Sequence, residues 1–277
     1  MSLFDAFRYD GKRVLVVGGA TGMGAAAAEL TLDAGAEVVV MDRAPVTLEG
    51  VESIEVDLAD PASIDAAVDA CGGPVHALLS CAGVADGIPG IEKINFLGHR
   101  HLIDRLRAGG HLPRGAAIGM ISSFAGVGWQ NNLPLLQSYL AMDLETASAW
   151  AVEHGKADYM WSKMAINAYV AQESFALRKE GIRINAIMPG PTDTPLARAN
   201  ADMWLGFASD YRDELGLEPS TPLEQAYPLV FLCSDAAAGV CGVTMITDAG
   251  YAASGVTGSF EPATGVVDFM TQLTVEE

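Results

Sequence analysis

Short runs of apolar, mostly β-branched residues alternate along the chain with longer, alanine-rich stretches of helical periodicity. We predict strands over residues 13–17, 37–41, 53–56, 77–80, 116–121, 183–187 and 244–247. Helices are predicted over 22–33, from Pro61 onward, over 91–107 and 159–180, and after Ser220. Strands that are apolar throughout and separated by helices are typical of a parallel sheet covered on both faces. The pattern therefore predicts an α/β fold with a doubly wound parallel sheet of about seven strands.

The last of these helices has a complete start signal in the sequence. Thr221 is the predicted N-cap, Pro222 occupies the first helical position, and Glu224 stands where a capping box needs it. These three residues fix where the helix begins.

Two segments interrupt the regular alternation, and each is predicted to have a special role. An insertion at about 124–158 is amphipathic, which fits a wall of an apolar pocket, a contact with a neighbouring subunit, or simple packing on the core. A second segment, at about 190–219, is expected to be a substrate lid. Its stripe of Met203, Trp204, Phe207 and Tyr211 would cover a substrate or pack on the core.

Length and composition set limits on the class of protein. The 277 residues predict one domain over 1–277, and 50% hydrophobic residues supply a buried core. A formal net charge of -19 predicts that the protein binds neither nucleic acid nor an anionic membrane. We find no apolar run of about 18 residues and no signal-peptide pattern, so a cytoplasmic protein is expected. The four cysteines and five histidines lack metal-ligand spacing, which predicts no metal site.

A glycine-rich turn, GGATGMG, lies between the first predicted strand and the first helix. Gly18 allows the chain to turn sharply, while Gly22 and Gly24 let the backbone approach a phosphate and let the helix pack on the sheet. A helix that begins there offers free N–H groups to a pyrophosphate. The turn therefore indicates a dinucleotide, although any tight strand-to-helix turn also uses glycine.

Tyr159 and Lys163 stand four residues apart on a predicted helix and so share one face. A free phenol has a pKa of about 10 and exchanges protons poorly near neutrality. A fixed ammonium nearby is expected to lower that pKa, so that the phenol can exchange a proton with an alcohol or carbonyl oxygen. With the dinucleotide, the pair indicates hydride transfer at carbon coupled to proton transfer at oxygen.

Asp42 ends the second predicted strand, 18 residues after Gly24. A carboxylate there accepts hydrogen bonds from ribose hydroxyls and repels a 2′-phosphate, which favours NAD and makes NADP the less expected cofactor. Arg43, the next residue, would accommodate that phosphate, and a solvated turn aspartate is the alternative for Asp42 itself.

The chain carries, in order, a series of short motifs known from one enzyme family. They are GGATGMG, Asp42, VDLAD, SCAG, INFLG, ISSFAG, YMWSK and PGPTDTP. The chain resembles the NAD-dependent, single-domain short-chain dehydrogenases/reductases over nearly its whole length. Its 35 residues between Ser123 and Tyr159 are similar to an insertion in bacterial enzymes of the 3α-hydroxysteroid dehydrogenase/carbonyl reductase type. The resemblance implies a Rossmann-like fold.

The resemblance also implies the role of each site residue. Tyr159 would be the general acid/base, Lys163 its pKa modulator and ribose ligand, and Ser123, rather than Ser122, the ligand of the substrate oxygen. Asn95 would extend a proton relay from a kinked helix. The implied cofactor-binding residues are Gly18, Ala20, Thr21, Gly22, Met23, Gly24, Asp42, Arg43, Asp57, Leu58, Cys81, Ala82, Gly83, Tyr159, Lys163, Pro189, Gly190, Thr192 and Thr194.

The sequence departs from the family pattern at a few positions. Val17 stands where Thr is common, Ser80-Cys81 replaces Asn-Asn, and Ala249 replaces a common Gly. None of these positions is one of the four predicted catalytic residues, so the departures concern only details of cofactor contact.

The sequence thus predicts an oxidoreductase that transfers a hydride between NAD(H) and a secondary alcohol or ketone, with an apolar, alicyclic or steroid-like substrate. Two alternatives remain, an epimerase or dehydratase on a related scaffold and a dinucleotide sensor without enzyme activity. The resemblance implies a homotetramer built through the helices around Asn95 and Tyr159, and the chain beyond Ala253 is predicted to reach a partner subunit.

Overall fold

The computed structural model describes residues 2–266 of the chain. Their strands form one parallel sheet in the order β3-β2-β1-β4-β5-β6-β7. The strands are β1 Arg13–Val17, β2 Glu37–Asp42, β3 Glu52–Glu55, β4 Ala77–Ser80, β5 Ala117–Ile121, β6 Arg183–Pro189 and β7 Thr244–Thr247. The predicted doubly wound, Rossmann-like sheet is confirmed, with strand ends shifted by one or two residues.

Helices cover both faces of this sheet. In chain order they are α1 Gly22–Asp33, α2 Pro61–Cys71, α3 Gly98–Ala108, α4 Leu133–Leu140, α5 Leu144–Glu153, α6 Tyr159–Glu180, α7 Pro195–Arg198, α8 Ala201–Trp204, α9 Ser209–Leu215, α10 Pro222–Cys233 and α11 Tyr251–Thr257. The start of α10 is confirmed, because Thr221 and Glu224 form the predicted capping box.

The two faces of the sheet carry separate apolar cores. Residues of β1 alternate between them: Leu15 and Val17 pack with α6, while Val14 and Val16 pack with α1 and α10. Because β1 lies between β2 and β4, the chain order reverses beside it. Loops diverge at such a point and leave a crevice at the carboxyl ends of the strands.

The insertion at 124–158 forms α4 and α5, which pack on the core of the α6 side. Leu136, Tyr139, Ala147 and Ala151 are buried there. Arg100 of α3 is buried as well, and its guanidinium donates to the carbonyls of Leu140 (3.1 Å) and Met142 (2.9 Å), fixing the α4–α5 connection. Core packing therefore accounts for the buried residues of α4 and α5, and the other two roles of this segment stay predictions.

The helix predicted over 91–107 is interrupted near its start. Residues Lys93–Leu97 form a π-helical turn, and a regular α-helix follows from Gly98. A Cβ on Gly98 would lie 2.2 Å from the carbonyl oxygen of Leu58, so glycine is required where this helix crosses the loop after β3. The irregular turn fits the kink that the family resemblance implies at Asn95.

The chain beyond β7 forms α11, and residues 267–277, part of the tail predicted to reach a partner, lie outside the described residues. Between residues 2 and 266, no helix combines the length and apolarity that a membrane span requires. Over the same residues, no three His, Cys, Asp or Glu side chains are grouped closely enough to hold a metal ion.

Candidate active site

The glycine-rich turn is shaped by two contacts that exclude any larger residue. Gly18 has φ +83°, and a Cβ there would lie 2.4 Å from the Cα of Ala82. At Gly24 a Cβ would lie 2.0 Å from the carbonyl oxygen of Gly18. The backbone is therefore bare over a groove at the start of α1, as a bound pyrophosphate requires.

The groove extends from this turn along the carboxyl ends of β1, β2 and β4. Most of the predicted cofactor-binding residues line it: Gly18, Thr21, Gly22, Met23, Gly24, Asp42, Arg43, Asp57, Leu58, Cys81, Ala82, Gly83 and Thr194. Ala20 is not part of this lining but donates its N–H to Asp42, and Pro189, Gly190 and Thr192 line an adjoining cavity. These residues would hold a dinucleotide, and the bare backbone of the glycine turn fits its pyrophosphate.

Asp42 is held rigidly at the end of β2. Its Oδ2 accepts the N–H of Ala20 (2.9 Å) and its Oδ1 accepts the N–H of Ala44 (2.8 Å). The carboxylate thus braces the glycine-rich turn as well as lining the groove. Each oxygen keeps a further lone pair for a ribose hydroxyl.

Beside the groove lies a cavity of about 420 Å³ that brings Ser123, Tyr159 and Lys163 together. A short helical turn after β5 carries Ser123, and α6 begins at Tyr159. This turn packs tightly on α6, because a Cβ on Gly126 would lie 2.9 Å from the carbonyl oxygen of Lys163. The side chain of Asn167 also donates to the carbonyl of Gly126 (3.0 Å).

Of the two neighbouring serines, Ser123 presents its hydroxyl to Tyr159. Both side chains line the cavity, and Ser123 acts on the phenol by lowering its pKa. The Ser122 hydroxyl is buried and donates to the main-chain carbonyl of Lys163 (3.1 Å). This geometry favours Ser123 as the ligand of a substrate oxygen and makes Ser122 a brace for α6.

The pKa of the Tyr159 phenol is raised, whereas the sequence predicts a lowered one. Burial raises its pKa to about 12, and the charge of Asp86 adds to that rise, while the hydrogen bond with Ser123 opposes it. The expected lowering by Lys163 is not found: burial sets the direction of the shift, and the Lys163 ammonium does not offset it. Tyr159 is accordingly a neutral phenol near pH 7, with a proton to donate.

Lys163 lies directly below this phenol. Its Nζ is 5.3 Å from the centre of the Tyr159 ring and donates to the carbonyl of Ile121 (2.9 Å). The side chain is almost fully buried, and burial lowers its pKa to about 8. A lysine of that pKa exchanges protons readily at physiological pH, which suits a relay.

Asn95 is fully buried in the π-helical turn and holds the loop after β4. Its Oδ1 accepts the N–H of Val84 (2.7 Å), and its Nδ2 donates to the carbonyl of the same residue (3.0 Å). Gly83 lies between Asn95 and Lys163, since a Cβ there would be within 4 Å of both side chains. Asn95 is therefore next to the lysine, with its amide committed to Val84.

The predicted lid forms one wall of the cavity. Three residues of its stripe, Met203, Trp204 and Phe207, line the cavity, and the Trp204 ring lies 4.7 Å from the ring of Tyr159. The fourth, Tyr211, contacts Tyr251 of α11 at 5.5 Å between ring centres. The stripe therefore faces the site along most of its length.

Two features of the site escaped sequence reasoning. Asp86 lines the cavity, and its Oδ1 accepts the N–H of Tyr159 (2.7 Å). Behind the groove, buried His99 accepts the Ser80 hydroxyl at Nδ1 (2.5 Å) and donates from Nε2 to the carbonyl of Ala82 (3.0 Å). Ser80 stands where the family commonly has asparagine. This departure is the one feature of the sequence that pointed to the Ser80–His99 hydrogen bond.

Comparison with known proteins matches two family models to this chain. The model described as short chain dehydrogenase matches residues 12–98, and the one described as Enoyl-(Acyl carrier protein) reductase matches residues 135–252. The first match contains the glycine turn and Asn95, and the second contains Tyr159 and Lys163.

Individual relatives match almost end to end. The cis-4-hydroxycyclohexanecarboxylate dehydrogenase of Sinomonas cyclohexanicum is 30% identical over 87% of this chain and 97% of its own length. The 3-alpha-hydroxysteroid dehydrogenase/carbonyl reductase of Comamonas testosteroni is 28% identical over 86% and 95%. Among solved structures, the 3-alpha-hydroxysteroid dehydrogenase of Pseudomonas sp. B-0831 complexed with NADH is 27% identical with a TM-score of 0.72, covering 90% of this chain and 99% of its own.

Proposed function

Given that this chain belongs to the short-chain dehydrogenase family and is an oxidoreductase of secondary alcohols, we propose that it uses NAD(H) and acts on an apolar, alicyclic alcohol or the corresponding ketone. The observation that carries the proposal is the cavity itself. Ser123, Tyr159 and Lys163 lie along a space whose exposed lining is mainly apolar. Such a space binds a ring by burying it and leaves the polar groups to orient the oxygen.

In the proposed reaction, each residue of the site has a separate role. When bound, the nicotinamide ring supplies or accepts the hydride. In ketone reduction, Ser123 donates to the carbonyl oxygen and Tyr159 delivers its proton as negative charge develops there. In oxidation, the ionised Tyr159 takes the hydroxyl proton, and Lys163, whose pKa burial lowers to about 8, can carry that proton onward.

The preference for NAD rests on the charge at the end of β2. Asp42 lines the groove with its carboxylate fixed by two backbone N–H groups, so a 2′-phosphate would meet an immobile negative charge. The NADH complex of the Pseudomonas relative supports the same choice. Arg43 also lines the groove, which makes the cofactor preference a matter for direct measurement.

The proposed activity is tested with a panel of alicyclic alcohols and ketones, run in parallel with NAD(H) and NADP(H) and followed by absorbance of the reduced cofactor. We expect kcat/KM to be higher for alicyclic than for short linear alcohols, because only the ring fills the apolar cavity. We also expect at least a tenfold preference for NAD. Tight NADH binding without turnover on any substrate would instead favour a sensor.

Replacing Asp42 by Ser is expected to raise the ratio of kcat/KM with NADP to that with NAD by about tenfold or more, since the repulsion of the 2′-phosphate is removed. The substitution also removes the hydrogen bond from Ala20, which is expected to weaken the binding of both cofactors. The ratio of the two kcat/KM values is therefore the useful quantity, because this shared effect cancels in it. Asp57→Asn is the matched control, because Asp57 lines the same groove and the family resemblance implies that it meets the adenine amine rather than the ribose. An unchanged ratio in Asp42→Ser would place the acid away from the ribose.

The homotetramer, the cytoplasmic location and the closing movement of the lid stay predictions. The predicted tetramer uses the helices around Asn95 and Tyr159. Leu136 and Tyr139 of α4 are buried in the same core as residues of α6, so they already cover part of that helix.

A further inference from the structure

We propose that Asp86 determines substrate specificity by accepting a hydrogen bond from a second hydroxyl group of the ring substrate and by rejecting substrates that carry a carboxylate. The inference rests on the proposed function, because it concerns the same cavity. It narrows the substrate class from apolar ring alcohols to ring diols.

Asp86 is the one carboxylate among the described residues that line the cavity. The remaining lining away from the reacting end consists mainly of aromatic and aliphatic side chains. They are Phe124 of the turn after β5, Met160 of α6, and Leu196, Met203, Trp204 and Phe207 of the lid. A single fixed charge in such a lining decides which polar substituents a bound ring can carry.

The position of this carboxylate is fixed by α6. Its Oδ1 accepts the N–H of Tyr159 at 2.7 Å, at the first residue of the helix. No hydrogen bond to Oδ2 is found among the described residues, and the side chain is exposed. One oxygen therefore anchors the group while the other is available to a ligand, within a tyrosine's length of the catalytic phenol.

Two consequences follow from the charge. A hydroxyl group on the far side of the substrate ring can donate to Oδ2, and a hydrogen bond to an ionised acceptor is about twice as strong as one between neutral groups. A carboxylate at the same place on the ring would meet a like charge, and the solvent that reaches the exposed Asp86 screens this repulsion in part. Asp86 is also among the causes that raise the pKa of Tyr159, in agreement with its 2.7 Å contact to the N–H of that residue.

The test compares three ring alcohols of one size: cyclohexanol, cyclohexane-1,4-diol and 4-hydroxycyclohexanecarboxylate. In the native enzyme, kcat/KM should be highest for the diol and lowest for the carboxylate. In Asp86→Asn, which keeps an acceptor for the Tyr159 N–H, the carboxylate should gain about tenfold or more relative to cyclohexanol. The advantage of the diol over cyclohexanol should shrink severalfold.

Asp158→Asn is the matched control. Asp158 is a second carboxylate at the start of α6, where it accepts the N–H of Trp161 (2.7 Å), and it does not line the cavity. It should leave the ratios between the three substrates unchanged. Two results would overturn the specificity role of Asp86: equal shifts of the substrate ratios in both variants, or substrate ratios in Asp86→Asn within twofold of native. In either case, turnover of cyclohexanol would still support the proposed function. If the native enzyme turns over none of the three with either cofactor, the proposed function fails, and the role of Asp86 fails with it.

Discussion

Replacing Tyr159 by Phe lowers kcat by about a thousandfold, the contribution that a positioned acid/base typically makes, and leaves the dissociation constant of NADH within a few-fold of native. The change removes only the hydroxyl that meets Ser123. The ring contacts with Trp204 at 4.7 Å and with the Lys163 Nζ at 5.3 Å are kept. Stopped-flow turnover and NADH fluorescence titration give the two quantities.

The pH dependence of the native enzyme provides a second readout of the same group. The phenol has a raised pKa of about 12, so it is protonated near neutrality. Oxidation needs the ionised form and should accelerate as the pH rises, whereas reduction needs the proton and should not.

Tyr211→Phe is the control for this experiment. The Tyr211 hydroxyl donates to the carbonyl of Ala249 (3.1 Å). Tyr211 lies in the lid, as Trp204 does, but it does not line the cavity. The control should keep native kcat to within a few-fold. A Tyr159→Phe enzyme with full activity would remove the phenol from the mechanism altogether.

Replacing Gly24 by Ala is expected to raise the dissociation constant of NADH by at least about tenfold and to lower the melting temperature. The new methyl group would lie 2.0 Å from the carbonyl oxygen of Gly18, so the turn or the first turn of α1 must shift. Overpacking of this kind costs about 1–3 kcal/mol, and here the backbone that must move is the cofactor cradle. Isothermal titration with NADH and thermal unfolding give the two quantities.

Gly239→Ala is the matched substitution, since no atom lies within 4 Å of the added Cβ and the backbone φ is not positive. It should change neither NADH affinity nor the melting temperature appreciably. Native NADH affinity in Gly24→Ala would show that the turn tolerates displacement and does not hold the pyrophosphate.

The site is built at a cost in stability, which Lys163 illustrates. Burial lowers its pKa from 10.5 to about 8, a difference of about 3 kcal/mol on an order-of-magnitude scale. Below about pH 8 both folded and unfolded chains carry the proton, and the full cost is present. As pH rises from about 8 to 10.5, the folded state releases the proton first and the cost disappears. A neutral or apolar residue would avoid this cost, and the proposed proton relay to Tyr159 is a use for the lysine.

The sequence by itself determined the sheet and its boundaries to within one or two residues, and the family motifs identified most of the residues that line the groove. These properties depend on local patterns: apolar runs mark buried strands, and Thr221 with Glu224 marks a helix start. The relation of Tyr159 to Lys163 was also predictable, because a spacing of four fixes two side chains on one helix face.

Only the tertiary structure decided the properties that depend on contacts between distant segments. It placed α4 and α5 of the insertion on the core, and it set Trp204 against Tyr159, 45 positions earlier in the chain. It brought Asp86 to the start of α6, and it reversed the expected direction of the Tyr159 pKa. Amphipathic spacing does not specify which surface a helix will cover, and desolvation is a property of the surrounding packing, so neither can be read from the order of residues alone.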